Sequence, residues 1–475
     1  MKILLINIHR PVDALAGYYK TNFAPMPPLN LAYLAAVLEQ AGIDVAVHDD
    51  ALAGGGNHDL RAALERHRPE VVGLSYLTAV MPEAPRVVRL VRSVDPAIRI
   101  VAGNLHADVF YESILSGGLA DIVVHGEAEE TLVELLRTLA DSNGDLANVA
   151  GISFVRENTV HTTPPRPRIA DLDRLPFPAW HLFERERYRL FNFARVRSPG
   201  MLTLGSRGCP FGCTYCSLKV MGHRRRCRSA ASIADECEWL YDRYGYVQPS
   251  FVDPIFPFDK AEGLAYADEL IRRGLHRRQV WVTETRTDLV DFELLEALRE
   301  SGLRRIMFGF ETGEQSELTA LRKGTRVDSA LRAVQASRRA GVEVIGFFML
   351  GVPGSTRRSL QTTIDHALGL DIDFAKFTVF APFPGTAVYE ELLAQGALED
   401  PTDWQRYTSY PTQNNPPIYV PEELTAEDLI RFQRRAHRSF YLRPSMAYRQ
   451  LFRIRTLTLS EIAGGLKALL LPRAS

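Results

Sequence analysis

The sequence predicts an α/β fold: an N-terminal doubly wound parallel sheet, then a partial (β/α)6 barrel, then a helical C-terminal region. Two observations lead to this prediction. Short apolar runs alternate with helical patterns from the start of the 475-residue chain, and this alternation pauses and starts again at residue 201. We therefore expect a first domain over residues 1–140, a connector over 141–200, a barrel over 201–400 and a helical cap over 401–475.

The first domain contains five candidate strands separated by helical patterns, at residues 2–8, 44–49, 71–77, 99–106 and 121–127. Gly42 ends the first helical pattern at a position typical of a helix C-cap. Open parallel sheets bind ligands at the carboxyl ends of their strands. Small and polar residues at these ends would let a large, flat ligand approach the backbone, and they are Ser75, Tyr76, Gly103, Asn104, His106, Gly126 and Glu127.

The second region contains six candidate strands, at residues 201–206, 249–254, 280–286, 305–311, 344–351 and 375–383. Helical patterns lie between them, as expected for consecutive β-α units. The reactive sites of such barrels lie on the loops that follow the strands. The loop after the first strand carries three of the five cysteines of the chain, so we expect the reactive centre there.

These three cysteines lie in the segment GSRGCPFGCTYCS, residues 205–217, where Cys209, Cys213 and Cys216 form a C-x3-C-x2-C motif. Three thiolates can bind three irons of a [4Fe–4S] cluster and leave the fourth iron open to another ligand. The alternative is structural zinc, which needs four ligands, usually in two pairs. The two other cysteines, Cys227 and Cys237, stand apart and are expected to be buried hydrophobic residues.

With Tyr215 directly before the last cysteine, this motif resembles the signature of the radical S-adenosylmethionine (SAM) superfamily. The upstream segments MKILLIN, APMPPLNLAYLAAVLEQAG, VVGLSYLT, AGNLHA and DIVVHGEAEETL are similar to the cobalamin-binding domain that precedes the barrel in one subgroup. The resemblance covers about residues 1–400. It implies a [4Fe–4S] cluster, SAM and cobalamin as cofactors, and an external electron donor such as flavodoxin or ferredoxin.

The resemblance also implies roles for residues at the barrel strand ends. Asp253 would bind the amino group of SAM, Arg286 its carboxylate and Glu311 a ribose hydroxyl. Gly346, Gly351 and Phe380 would lie against the adenine. The residues themselves leave structural alternatives open: Asp253 as a helix N-cap, Arg286 paired with Glu284 or Asp288, and Glu311 bonded to loop amides.

The sequence contains no D-x-H-x-x-G motif, through which many cobalamin proteins supply a histidine below the corrin. His48 lies in VAVHDDALAGG, with Ala46 and Ala51 at the positions of the motif's Asp and Gly. The corrin would then be held without histidine, and Tyr76 is expected to approach its lower face, unless it is a core residue. His106 and His125 at strand ends could equally be structural.

The resemblance implies a C-methyltransferase that spends one SAM on methylating cobalamin and a second on a radical. The alternative is a radical cyclase, because SFYLRP and IAGGLKALL near the C-terminus are similar to members that form rings. An RNA methylthiotransferase would carry a second three-cysteine cluster upstream, but the first 208 residues contain no cysteine. A cobalamin or redox sensor would not need a complete barrel.

The composition of the chain limits the classes of partner that we expect it to bind. The formal net charge is −1, which gives no general attraction to nucleic acid, so we expect a small-molecule or lipid-like substrate. The sequence start lacks the order of a secretory signal, so we expect a cytoplasmic protein. The basic, aromatic C-terminal segment is expected to be a helical cap, with a membrane-surface helix as the alternative. The basic run HRRRCRS at 223–229 is expected to be a solvated loop.

Overall fold

A computed structural model of the protein describes residues 1–9, 25–53, 56–217, 222–449, 461 and 464–465. The predicted N-terminal strands form one sheet, and two further strands extend it: β1 Lys2–Asn7, β2 Asp44–Asp49, β3 Val71–Ser75, β4 Arg99–Gly103, β5 Ile122–Val124, β6 Ile152–Arg156 and β7 Thr159–Thr162. Their order is β2-β1-β3-β4-β5-β6-β7. The first five are parallel, whereas β6 and β7 add an antiparallel hairpin.

Helices cover both faces of this sheet, as predicted for a doubly wound fold. They are α1 Leu29–Gln40, α2 Asp50–Ala53, α3 Asn57–His67, α4 Ala84–Val94, α5 Leu105–Ser116 and α6 Ala128–Ala140. Helices α1 and α6 bury their apolar residues in a core on one face. Helices α3, α4 and α5 pack into a second core on the other face. Both faces of the strands are therefore apolar, which explains their continuous hydrophobic runs.

The expected connector, residues 141–200, contacts both of the regions that it joins. Its hairpin β6–β7 belongs to the first sheet, and its later part closes the N-terminal end of the barrel. Gln248 accepts the backbone N–H groups of Val196 and Arg197, each at 2.7 Å. The fully buried Arg305 donates to the carbonyl oxygen of Phe193 and pairs with Glu343. This polar network holds the connector against the first residues of the barrel strands.

The six barrel strands lie where the sequence predicts them, and all are parallel: β8 Gly200–Thr203, β11 Gln248–Phe251, β12 Trp281–Thr285, β13 Leu303–Glu311, β14 Glu343–Leu350 and β15 Phe374–Val379. Their spatial order is β15-β14-β13-β12-β11-β8. Two short antiparallel strands, β9 Ser206–Arg207 and β10 Arg226–Cys227, flank the cysteine loop. The unclosed row of strands is the predicted partial barrel.

Helices pack on the outer face of the barrel strands around one large apolar core. They are α7 Ala230–Tyr244, α8 Lys260–Arg272, α9 Phe292–Glu300, α11 Val327–Arg339, α12 Arg357–Gly369, α14 Ala426–Tyr441 and α15 Pro444–Tyr448. Two further helices are α10 Gln315–Ala320 and α13 Ala387–Ala394, and α13 packs in a separate apolar cluster with Phe380 and Tyr407. Short 3-10 helices lie at Thr78–Glu83, Leu146–Asn148, Leu172–Arg174, Trp180–Leu182, Arg185–Arg187, Leu275–Arg277 and Trp404–Arg406.

Helix α14 covers the edge of the barrel. It begins with a capping box between Thr425 and Asp428 and buries Leu429 and Phe440 in the barrel core. Within the described residues, no helix has the length and apolarity needed to cross a bilayer. Most of the segment after residue 449 lies outside the described residues, including nearly all of IAGGLKALL, so the membrane-surface alternative for it stays a prediction.

Replacing Gly351 with Ala is expected to lower the free energy of unfolding by about 2–4 kcal/mol. Gly351 has a φ of +83°, and a Cβ there would lie 2.6 Å from Leu429 on α14. Gly354 is a matched control, because its φ is +81° and no atom lies within 4 Å of its missing Cβ. Gly354→Ala should cost only about 1 kcal/mol. Equal losses in denaturant titrations would contradict this account.

Candidate active site

The cysteine loop leaves the barrel through β9 and returns through β10. A Cβ at Gly208 would lie 2.5 Å from the carbonyl oxygen of Arg224, and its φ is +83°, so glycine is required there. The Cys209 N–H donates to the carbonyl oxygen of Gly222 at 3.1 Å. The loop thus closes on itself around the motif and lies at the carboxyl end of β8.

The three motif thiols share one electrostatic environment. Cys209 is buried, and Cys213 and Cys216 are partly buried. Burial, with repulsion from Cys213 and Cys209, raises the pKa of Cys216 to about 11. Among the described residues, no three metal-ligating side chains already converge into an ion site. A bound cation would favour the thiolates of Cys209 and Cys216, which burial and repulsion from Cys213 disfavour.

The two remaining cysteines differ from each other. Cys237 is buried, as predicted, with its sulfur 3.7 Å from the Tyr266 hydroxyl. The prediction for Cys227 is wrong, because β10 leaves it exposed. It lies at an edge of the two-stranded ladder and not in the apolar core.

Asp253 holds the start of the cysteine loop. Its buried carboxylate accepts the Gly205 N–H at 2.9 Å and the Ser206 hydroxyl at 2.6 Å. Burial raises the pKa of Asp253 to about 7, although these hydrogen bonds oppose the shift. The structure therefore gives Asp253 a loop-holding contact and not a helix N-cap. Its contact with the SAM amino group stays a prediction.

Glu311 ends β13 in an ionic cluster directly behind the motif. Its carboxylate accepts from Lys323 at 2.6 Å and from the Tyr215 hydroxyl at 2.9 Å. Gly309 makes room for this pair, because a Cβ there would overlap the Glu311 carboxylate. The partners are side chains and not the loop amides of the structural alternative. Sequence reasoning missed Lys323, which follows no recognisable motif, and the ribose contact of Glu311 stays a prediction.

Arg286 stands at the end of β12 and contacts the cysteine loop. It forms a bidentate pair with Asp288 at 2.9 and 3.0 Å and donates to the Lys323 carbonyl oxygen at 2.6 Å. Its guanidinium carbon lies 3.7 Å from the centroid of the Phe211 ring. The pairing with Asp288 is the structural alternative that the sequence left open. A role in binding the SAM carboxylate stays a prediction.

Three expected adenine contacts, Gly346, Gly351 and Phe380, need correction, because each of these residues is buried against other protein side chains. A Cβ at Gly346 would lie 2.7 Å from Phe310, so its face of β14 points to the outer helices. Gly351 meets α14 through Leu429. Phe380 is buried with its ring edge-to-face against Tyr419 at 5.9 Å. Strand alternation points Gly346 away from the barrel interior, whereas Gly351 and Phe380 lie directly after the ends of β14 and β15 and are buried by their packing partners.

A cleft of about 370 Å³ separates the strand ends of the first sheet from the cysteine loop, and Leu204, Ser206, Arg207 and Gly208 form its barrel side. A smaller cavity of about 60 Å³ adjoins it between α1, α6 and the sheet. Five residues predicted at the strand ends line these spaces: Ser75, Gly103, Asn104, Gly126 and Glu127. Asn104 bonds Ser75 at 2.9 Å and caps α5 through the Leu105 N–H.

The predictions for Tyr76 and His106 as cofactor contacts are wrong. Tyr76 is fully buried on the opposite face of the sheet, and its hydroxyl donates to the Leu119 carbonyl oxygen at 2.8 Å. His106 lies 3.1 Å from the Thr78 hydroxyl and packs edge-to-face against Trp404, and burial lowers its pKa to about 4. Successive strand residues point to opposite faces, so Ser75 reaches the cleft and Tyr76 cannot.

His125 and His48 are also held by protein groups. His125 contacts Asp108 at 3.0 Å and Ser153 at 2.7 Å. His48 contacts Asp50 at 3.0 Å. No histidine lines the cleft among the described residues, which agrees with the missing motif.

Glu127 and Glu129 join the cleft to the cysteine loop. Arg226 on β10 donates to Glu127 at 2.5 and 2.8 Å, and Arg207 on β9 donates to Glu129 at 2.6 Å. Arg207 also lies over the Tyr33 ring at 5.6 Å. The prediction of a solvated basic loop is therefore wrong for Arg226, because both strands flanking the cysteines are tied to the first domain. Sequence reasoning missed these partners, which lie 99 and 78 residues apart in the chain.

Two family models match this arrangement. The B12 binding domain matches residues 21–136, and the radical SAM superfamily matches residues 203–367. These matches agree with the cleft at the strand ends and with the cysteine loop. The chain therefore belongs to the radical SAM superfamily, in the group whose barrel follows a B12-binding domain, and it is an enzyme.

The most similar relatives extend over nearly the whole chain. An uncharacterized methyltransferase of Pyrococcus horikoshii is 29% identical over 428 residues, 90% of each protein. The anaerobic magnesium-protoporphyrin IX monomethyl ester cyclase of Rubrivivax gelatinosus is 28% identical over 453 residues, 93% of this chain and 78% of the cyclase. The structure of the radical SAM methyltransferase TsrM from Kitasatospora setae, with cobalamin and a [4Fe–4S] cluster bound, superposes with a TM-score of 0.72 at 18% identity, covering 94% and 90% of the two chains. The predicted fold is confirmed.

Replacing Glu127 with Gln is expected to lower the free energy of unfolding by about 3 kcal/mol, because the buried Arg226 loses its charge partner. Glu134 is the control, since it pairs with Arg166 within the first domain and its side chain is 43% exposed. Glu134→Gln should cost less than about 1 kcal/mol. If both variants unfold at the same denaturant concentration, the Glu127–Arg226 pair does not stabilise the protein as described.

Proposed function

We propose that this enzyme is a cobalamin-dependent radical SAM methyltransferase that methylates an unactivated carbon of a small-molecule or lipid-like substrate. One observation carries the proposal. The cleft of the B12-binding domain is lined by Ser206, Arg207 and Gly208, the residues directly before Cys209. Groups held in the cleft and on the cysteine loop would therefore face a common space.

The cleft fits a corrin in shape and in chemistry. Gly103 and Gly126 leave room for a flat ring along the strand ends, and the adjoining small cavity lies below them. The Tyr33 hydroxyl is buried in the cleft wall and has no hydrogen-bond partner among the described residues. An amide-bearing ligand could supply that partner. We propose that these residues, with Ser75, Asn104 and Glu127, hold cobalamin without a histidine.

The cysteine loop fits a cluster with one open iron. Cys209, Cys213 and Cys216 would bind three irons, and Asp253 holds the loop that carries them. Arg286 lies beside Phe211 of the loop and Glu311 behind Tyr215, so both flank the place where SAM would bind the open iron. When bound, the cluster and SAM supply a substrate radical, and cobalamin supplies a methyl group.

A second candidate function is radical cyclisation. The similarity to the Rubrivivax gelatinosus cyclase covers 93% of this chain, nearly the same extent as the similarity to the methyltransferase. Product analysis separates the two. A methyltransferase forms S-adenosylhomocysteine together with 5′-deoxyadenosine, whereas a cyclase forms only 5′-deoxyadenosine.

After anaerobic reconstitution with iron, sulfide and hydroxocobalamin, we expect about one corrin and about four irons per chain. Iron and corrin assays on the desalted protein measure both. Four irons without corrin would refute the cobalamin part of the proposal and leave the radical part standing.

Replacing Cys213 with Ala is expected to abolish reductive cleavage of SAM while the fold is retained, because the cluster loses one of its three ligands. Formation of 5′-deoxyadenosine with a chemical reductant is the measurement, and circular dichroism reports the fold. Cys227→Ala is the control, since Cys227 is exposed and outside the motif, and it should cleave SAM at the wild-type rate. Undiminished cleavage by Cys213→Ala would refute the cluster assignment.

A further inference from the structure

The interior of the barrel carries two charged residues that the radical chemistry does not use. Alternate residues of each strand point into the barrel, while Trp281, Phe348 and Phe377 point into the outer core. Glu284 on β12 and Lys376 on β15 have the inward orientation. They face each other across the barrel, since β13 and β14 lie between their strands.

Lys376 lies among aromatic rings, and none of the described residues forms an ion pair with it. Its ammonium is 5.7 Å from the ring centroids of Phe193 and Phe347 and 6.0 Å from that of Tyr410. Among the described residues it donates no hydrogen bond and forms no ion pair within 4.0 Å. Desolvation lowers its pKa, and Glu284 opposes that shift. The rings stabilise the cation only in part.

Glu284 is likewise without a side-chain hydrogen bond among the described residues; only its backbone carbonyl accepts, from the Phe256 N–H at 2.9 Å. Burial raises the pKa of Glu284 to about 7, and Lys323 and Lys376 oppose the shift while Glu311 adds to it.

Other charges of the barrel interior are directly paired. Arg305 binds Glu343 at the closed end, and Lys323 binds Glu311 at the cysteine end. Lys376 and Glu284 are only partly buried, and charged side chains in a protein interior that lack protein partners are candidates for contact with a ligand. Lys376 and Glu284 lie between these two pairs.

The aromatic rings define the apolar part of this space. Phe193 and Phe347 pack edge-to-face at 6.2 Å, above an apolar floor of Met307, Ile345 and Phe374. A flat or aliphatic body would contact these rings. Lys376 offers one positive charge to a ligand. The Glu284 carboxylate would repel a second negative charge on that ligand. A singly charged carboxylate therefore suits the space better than a phosphate dianion.

We infer that Lys376 and Glu284 recognise the substrate, a carboxylic acid whose apolar body carries a hydrogen-bond donor. The substrate carboxylate binds the Lys376 ammonium, the apolar body lies on Phe347 and Phe193, and the donor binds the Glu284 carboxylate. This inference rests on the proposed function and names its substrate class. Both residues contact the substrate directly, from the inward faces of β12 and β15.

A stability comparison tests whether Lys376 is a structural or a binding residue. Lys376→Met removes an unpaired cation and should leave the melting temperature unchanged or raise it. Lys323→Met breaks the pair with Glu311 and should lower it. If Lys376→Met lowers the melting temperature as much as Lys323→Met, Lys376 is structural and the inference is wrong.

A binding experiment uses the enzyme reconstituted with cluster, cobalamin and SAM, and three probes: 3-(4-hydroxyphenyl)propionate, 3-phenylpropionate and the amide of the first. Calorimetry should detect both acids and weaker binding of the amide. Lys376→Met should weaken the acids about tenfold or more, and Glu284→Gln should weaken chiefly the hydroxylated acid. Lys260→Met, on an exposed salt bridge, should change nothing.

Equal binding of the amide, an unchanged affinity in Lys376→Met, or no binding of either acid would overturn the inference. Iron and corrin are assayed in the same samples. Protein that lacks the cofactors refutes the proposed function itself, whereas loaded protein that fails to discriminate the probes refutes only the substrate class.

Discussion

A small set of buried carboxylates holds the cysteine loop, and the arrangement of the two sites depends on them. Asp253 binds the loop from the barrel side through the Gly205 N–H and the Ser206 hydroxyl. Glu127 and Glu129 bind it from the first domain through the two arginines on its flanking strands. Among the described residues of the loop, Cys209, Phe211 and Cys216 belong to a small apolar cluster, and Tyr215 packs against a second one. Without these ionic contacts, the conformational entropy of a long loop would oppose a fixed position, and the cleft wall that it forms would not be defined.

The charges inside the barrel separate into structural and unpaired groups along its axis. The closed end is held by Arg305 and Glu343, and the cysteine end by Lys323 and Glu311. Between them the barrel offers aromatic rings and two charges without partners. The ion pairs hold both ends of the barrel in place. Under the inference above, a ligand supplies the missing partners of Lys376 and Glu284 between them.

The two relatives differ in how much of their own length this chain matches. The methyltransferase is matched over 90% of this chain and 90% of its own length, whereas the cyclase is matched over 93% of this chain and 78% of its own length. The remaining part of the cyclase lies outside the match. Under the inference above, the substrate contacts of this chain lie on the inward faces of β12, β14 and β15.

The sequence by itself determined the order of the two α/β regions, the positions of their strands and the place of the cysteine motif. Hydrophobic periodicity and close cysteine spacing are local signals, so they can be recognised without the tertiary structure. It also located Ser75, Gly103, Asn104, Gly126 and Glu127 at the cleft. Only the tertiary structure decided which neighbouring strand residues reach that cleft, since Ser75 and Tyr76 point to opposite faces. It alone joined Glu127 to Arg226 and surrounded Lys376 with rings from three distant segments. Such contacts arise from packing between elements far apart in the chain, and no local pattern in the sequence encodes them.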